Sequence, residues 1–194
     1  MIDVYSLPSK NPFCKDIGKN PPEKLGMTMC LSLIRKDDDP SQFTLVAGYE
    51  SGCACVYTVS ASSWSLLYSV KFHTQPILSL AIHPSKESFY TTAADANVVH
   101  HPIAIATQPL KSAATKHAGQ TGLAIREDGR IFVAAGWDGV GRVYSGQTLR
   151  QVAVLKWHVE GLQAAEFSGS LSDGKRLIVL GGKDGKISFW DVFN

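Results

Sequence analysis

A short motif that returns at a nearly constant interval constrains this chain more than any other feature. Self-similarity with a period of about 20–50 residues marks a repeat architecture, in which each unit is one supersecondary element that needs its neighbours to bury its faces. The clearest copies are Lys183-Asp184-Gly185-Lys186-Ile187-Ser188-Phe189-Trp190 and Trp137-Asp138-Gly139-Val140-Gly141-Arg142-Val143-Tyr144. Each reads as a tight turn followed by a strand that ends on an aromatic. Weaker copies run Asp95-Ala96-Asn97-Val98-Val99-His100-His101 and Ser51-Gly52-Cys53-Ala54-Cys55-Val56-Tyr57. The turns fall at positions 51, 95, 138 and 184, so the intervals are 44, 43 and 46.

Three copies are preceded by a histidine, His73, His117 and His158, lying 22, 21 and 26 residues before the turn aspartate. The extra length of the last unit falls in the polar stretch 168–175, a loop by composition. Between histidine and aspartate lie two short β-prone runs, such as 77–82 and 88–92, separated by turn chemistry. A further strand, such as 151–155, leads to the next histidine. No segment carries apolar spacing of three and four over a helical length, so the expectation is an all-β chain. The units are placed at 24–72, 73–116, 117–157 and 158–194 within one region, 1–194, with 1–10 the end of a preceding unit or a closing strand.

Four strands per unit and a terminal Trp190-Asp191 are similar to a WD-type β-propeller blade, so the expected fold is a WD40-type β-propeller of about four blades, partial or truncated. The resemblance implies a hydrogen-bonded tetrad in each blade, joining the histidine, a Ser or Thr on the second strand, the turn aspartate and the aromatic. The positions are His73, Thr91 and Asp95, with His101 replacing the aromatic; His117, Asp138 and Tyr144, with Ala134 at the hydroxyl position; and His158, Asp184 and Trp190, with Leu180 there. Each set is incomplete. A WD propeller usually has seven blades, and Ile2-Asp3-Val4-Tyr5 reads as the end of a third strand. The chain is therefore expected to be the C-terminal part of a longer propeller, or a short product whose N-terminal strand completes the last blade.

Composition sets limits on function. At 194 residues, 44% hydrophobic and 19% charged, with a net charge of +2 and scattered basic residues, the chain shows no electrostatic footprint for direct nucleic-acid binding. No apolar run approaches the roughly 20 residues that span a bilayer, so no membrane partner is expected. Cys14, Cys30, Cys53 and Cys55 form no C-x-x-C pair. They read as buried apolar thiols, since a zinc site at Cys53 and Cys55 needs two more ligands. His100 and His101 point to opposite faces of a strand and do not chelate one ion. Gly182-Lys183-Asp184-Gly185-Lys186 looks like a phosphate loop, but its place in the repeat makes it a turn. No nucleophile elbow, Walker loop or zincin pair occurs, so no catalytic, cofactor or metal residue is assigned and the chain is expected not to be an enzyme.

Contact surfaces are the better reading. In WD propellers the residue before the turn aspartate, and one near the start of the first strand, face partners. Here these are Glu50, Ala94, Trp137 and Lys183, with Leu78, Thr121 and Gln163 on first strands. Trp137 stands out because Trp is enriched at interface hot spots, against the alternative of packing under a neighbouring loop.

Five stretches carry a narrower resemblance: Tyr5-Ser6-Leu7-Pro8-Ser9-Lys10, Lys24-Leu25-Gly26-Met27-Thr28-Met29-Cys30-Leu31, Leu45-Val46-Ala47-Gly48-Tyr49-Glu50-Ser51-Gly52, Ala134-Ala135-Gly136-Trp137-Asp138-Gly139, and 181–190. Together they resemble the ASTRA-associated protein 1 family of fungi and its animal counterpart, the guanine nucleotide-binding protein β-subunit-like protein 1. Ser51 departs from the pattern, standing where an aspartate is usual. The resemblance implies a nuclear, and in part cytoplasmic, scaffold subunit of the ASTRA complex, a chromatin regulator. Its implied partners are the other ASTRA subunits and the co-chaperone that matures phosphatidylinositol-3-kinase-like kinases. A signalling adaptor like a G-protein β subunit is the alternative that the repeats alone allow equally.

Overall fold

The middle strands of each unit are apolar on both sides, and a computed structural model of the chain, which describes residues 1–21, 23–104, 108–172 and 174–193, shows why. All seventeen elements among these residues are strands, in antiparallel sheets. Strands β1 (Ile2–Ser6) and β2 (Asn11–Ile17) form a hairpin. A four-stranded sheet follows, with β3 (Thr28–Arg35), β4 (Phe43–Tyr49), β5 (Cys53–Ser60) and β6 (Ser63–Lys71) in sequence order. The second sheet holds β7 (Ile77–Ile82), β8 (Ser88–Ala93), β9 (Asn97–Pro102) and β10 (Lys111–Ala114). The third holds β11 (Gln120–Ile125), β12 (Ile131–Gly136), β13 (Val140–Ser145) and β14 (Gln151–Lys156). The last has three described strands, β15 (Leu162–Phe167), β16 (Leu177–Gly182) and β17 (Ile187–Asp191).

Each sheet is a meander, and its first strand lies against the first strand of the next: β3 beside β7, β7 beside β11, β11 beside β15. The sheets therefore stack face to face like propeller blades, with the core as the layers between them. Val46, Val56 and Tyr68 of the first sheet meet Ile77 and Phe89 of the second. Tyr90 and Val98 meet Phe132, Ala134 and Tyr144 of the third, and Val133, Ala135 and Val143 meet Leu162, Ile178 and Leu180 of the last. A strand covered on both faces has no reason to alternate, and β8 and β12 are buried at all six positions. Alternation survives at the ends of the stack. On β3, Met29, Leu31 and Leu33 are exposed, and on β17 Ile187 and Phe189 are.

The hairpin β1–β2 carries the ordered structure beyond residue 10, to Ile17. Cys14, Ile17 and Ile2 pack on Leu45, Tyr57 and Val59 of the first sheet. Strand β2 escapes a pattern reading because Pro12, Lys15 and Asp16 break its alternation and the pairing with β1 shifts register twice. Of the polar loop 168–175, Asp173 lies outside the described residues, as does the terminal Asn194.

Tight turns join the second and third strands of each sheet, and glycine serves two different purposes in them. Gly52 has φ +85° and a Cβ there would lie 2.2 Å from the His73 carbonyl oxygen, whereas Gly185 has φ +71° with no atom within 4 Å of such a Cβ. Gly185→Ala should therefore cost only the left-handed backbone penalty, ~1–2 kcal/mol. Gly52→Ala should lower stability by clearly more, because the backbone must also move, and chemical denaturation of the two variants checks the order.

Candidate functional site

The four turns lie at one end of the strands, and the candidate contact residues share one geometry there. The amide of the residue before the turn donates to a carbonyl at the start of the same sheet: Glu50 to Met27, Ala94 to Pro76, Trp137 to Gly119 and Lys183 to Gly161, each at 2.9 Å. Their side chains project from that end. The first-strand candidates sit at β-bulges. Pairing skips one residue between Ile77 and Ser79, between Gln120 and Gly122, and between Leu162 and Ala164. The skipped residues are Leu78, Thr121 and Gln163, and a bulge re-aims such a side chain out of the pleat. A fourth bulge, between Thr28 and Cys30, does the same for Met29, which the repeat reading did not single out.

Bulge and pre-turn residues of one sheet are thus brought together as pairs. The contact is direct in the third sheet, where the Trp137 indole N–H donates to the Thr121 hydroxyl and its ring lies over Gly119. Trp137 remains 49% exposed, so it is neither buried under a loop nor free. Glu50, Gln163 and Lys183 are exposed, Leu78 and Thr121 half-buried. The result is a mixed face with one large aromatic, apolar Met29 and Leu78, and charges of both signs.

Behind this face lie the turn carboxylates. In the second sheet Asp95 accepts from His73 Nδ1 at 3.1 Å and from the amides of Thr74 and Asn97 at 2.9 and 3.0 Å. Burial holds His73 below the usual imidazole range against the pull of Asp95, so the ring is neutral with its proton on Nδ1. Its Nε2 then accepts from the Thr91 hydroxyl at 2.9 Å, and Thr91 accepts from His101 Nε2 at 2.8 Å. His101 stacks on Phe89 where an aromatic was expected, and its Nδ1 has no partner. Neighbouring His100 stacks on Tyr90 on the other face, so the two rings do not converge.

The last sheet builds the same relay from different positions. Asp184 accepts from His158 Nδ1 at 3.0 Å, which holds its carboxyl below the usual range. Leu180 supplies no hydroxyl, but Ser188 does: its oxygen lies 2.9 Å from His158 Nε2 and accepts from Trp190 Nε1 at 2.8 Å. The hydroxyl comes from the third strand, two residues before the aromatic.

In the third sheet the expected network is replaced. His117 is exposed, with Nδ1 3.7 Å from Asp138, and Tyr144 stacks on Phe132 with its hydroxyl unpartnered, so neither joins a tetrad. Asp138 instead binds the Arg142 guanidinium at 3.0 and 2.6 Å, and Arg142 is the first cause that holds its carboxyl below the usual carboxylate range. Two charge-assisted bonds outcompete one imidazole, and His117 is released to solvent. In the first sheet, where Ser51 replaces the aspartate, Glu50 reaches across to accept from the Met27 amide at 3.0 Å.

No group of three or more potential metal-ligating side chains occurs among the described residues. The four cysteines are free, and burial raises each thiol. Among the described residues no helix is long and apolar enough to cross a membrane.

No protein-family model matches the sequence. Among curated proteins the chain is 37% identical to ASTRA-associated protein 1 of Verticillium alfalfae over 99% of its length and 56% of that protein's. It is 34% identical to ASTRA-associated protein 1 of Schizosaccharomyces pombe, over 99% of the chain and 58% of the relative. The chain thus spans a little over half the length of these relatives. Among solved structures it matches the computationally designed protein Ika8 with a TM-score of 0.75 at 18% identity, over 98% of this chain and 52% of that one. The designed protein Ika4 matches with a TM-score of 0.70 at 20% identity, over 89% and 95%. These likenesses show the fold alone.

The histidines make stability depend on pH. Burial is the first cause that depresses His100 to about 4 and His101 to about 3, from 6.5. The unfolded chain therefore takes up protons that the folded chain refuses, and stability, full above pH 6.5, falls as the pH is lowered toward 4. His101→Phe should flatten this fall by at most one proton, about 1.4 kcal/mol per pH unit, in urea melts between pH 7 and pH 4.5.

Proposed function

Because the chain is a relative of the fungal ASTRA-associated protein 1 family along nearly its whole length, we propose that it is a non-enzymatic scaffold of the ASTRA complex. The carrying observation is the 37% identity over 99% of the chain, joined to an end face built from repeated turn and bulge positions. The face has the composition of an interaction surface: Trp137 as the aromatic anchor, Met29 and Leu78 as apolar positions on the preceding sheets, Glu50 and Lys183 to set orientation. The unmatched apolar rows on β3 and β17 suit a WD-type β-propeller in which further sheets of a longer array cover them. On this reading the protein works in the nucleus in chromatin regulation, and with the co-chaperone that matures phosphatidylinositol-3-kinase-like kinases.

Affinity purification with mass spectrometry tests this. The tagged protein should recover ASTRA subunits and the kinase-maturation co-chaperone, and absence of both contradicts the proposal. Trp137→Ala with Lys183→Glu should weaken recovery by about tenfold or more, as truncating a hot spot does. The melting temperature should stay within a few degrees, about the effect of surface changes of ~0.5 kcal/mol.

A further inference from the structure

The opposite end of the strands carries a second feature, seen by comparing the junctions between successive sheets. At the first junction, Asp37 in the β3–β4 loop is ion-paired with Lys86 in the β7–β8 loop. At the third, Glu127 in the β11–β12 loop is paired with Arg176 in the β15–β16 loop at 2.8 Å. The polarity is the same, with the acid on the earlier sheet and the base on the later. At the second junction the base is present, as Arg130 in the β11–β12 loop, but Glu87, the carboxylate of the β7–β8 loop, forms no ion pair with it among the described residues. Among the described residues Arg130 reaches only Asp128 of its own loop, at 4.0 Å, and Asp128 is already held by Arg126 at 2.9 Å.

A groove of about 550 Å³ lies open there, against about 330 Å³ for the groove beside Lys86. Its wall is the stacked pair Tyr90 and His100, with ring centroids 4.2 Å apart, and Leu110 lies beside them. His100 Nε2 has no hydrogen-bond partner. Lys111 lines the groove and, among the described residues, donates only to the Gln147 carbonyl, a neutral acceptor. The charges facing the space are therefore Arg130 and Lys111, against Glu87 and the already neutralised Asp128. A cation pair beside an aromatic and apolar wall suits an anionic group on an extended chain with apolar neighbours.

We propose that this groove binds an acidic, extended peptide segment of a partner protein, whose carboxylate or phosphate takes the place that Asp37 and Glu127 fill at the neighbouring junctions. The site is independent of the turn face and of complex membership, because its loops lie at the other end of the strands.

Fluorescence anisotropy with the whole chain provides the test. The probe is a labelled short peptide of alternating Glu and Leu, the same peptide with one Glu replaced by phosphoserine, and a Lys and Leu counterpart. Both acidic peptides should bind and the basic one should not. A much tighter phosphoserine peptide identifies phosphate as the anion, and near-equal binding identifies carboxylate; either supports the proposal. Lys111→Glu with Arg130→Glu should weaken binding by about tenfold or more, Glu87→Gln should tighten it, and Lys71→Glu with Lys156→Glu, an equal charge change elsewhere, should alter it by less than about twofold. Thermal melts confirm folding, and Glu87→Gln keeps the test decisive if the double reversal does not fold. Absent binding, binding of the basic peptide as well, equal loss in both charge-reversed pairs, or no gain from Glu87→Gln overturns it.

Discussion

A carboxylate held at the turn between the second and third strands is the interaction on which the rest of this structure depends. Asp95 binds amides on both sides of the second sheet's entry, at Thr74 in the incoming connection and at Asn97 in the turn itself. Asp184 does the same with Val159 and Lys186. The carboxylate therefore fixes where the chain enters a sheet relative to where that sheet turns. Each charge is partly enclosed, and burying it is tolerable only because imidazole, guanidinium or amide donors surround it.

Much of this was legible in the sequence, because spacing and turn chemistry are local. The recurring Asp-Gly turns, the histidines ahead of them and the absence of helical periodicity led to meander sheets, and seventeen strands with no helix among the described residues agree. What was not legible was compensation between neighbours in space. Ser188 looks like an ordinary strand residue until the structure shows its hydroxyl bridging His158 and Trp190, and the only signal was a hydroxyl two residues before the aromatic. Arg142, four residues after Asp138, could have been suspected as its partner. Its capture of that carboxylate, and the consequent release of His117, depend on which side chain reaches first, which a repeat alignment ignores. Met29 carried no signal in the sequence because its repeat has Ser51 in place of the turn aspartate, although its bulge matches those at Leu78, Thr121 and Gln163.

The same constraint explains why the candidate contact residues lie at strand ends. The faces of the middle sheets are consumed by stacking, so side chains free to meet other molecules come from turns, bulges and loops. At one end the carboxylate network makes these positions rigid, which lowers the ordering cost of binding. At the other end, single ion pairs between loops bridge the first and third junctions.

Amide hydrogen exchange on Asp95→Ala tests the central claim most directly. If the carboxylate pins the entry to the turn, the amides of Thr74 and Asn97 should lose about 10–100-fold of protection, the loss of a charge-assisted bond of ~1.5–3 kcal/mol, while Val133 in β12 keeps most of its own. Unchanged exchange at Thr74 and Asn97 in a folded variant would contradict the account.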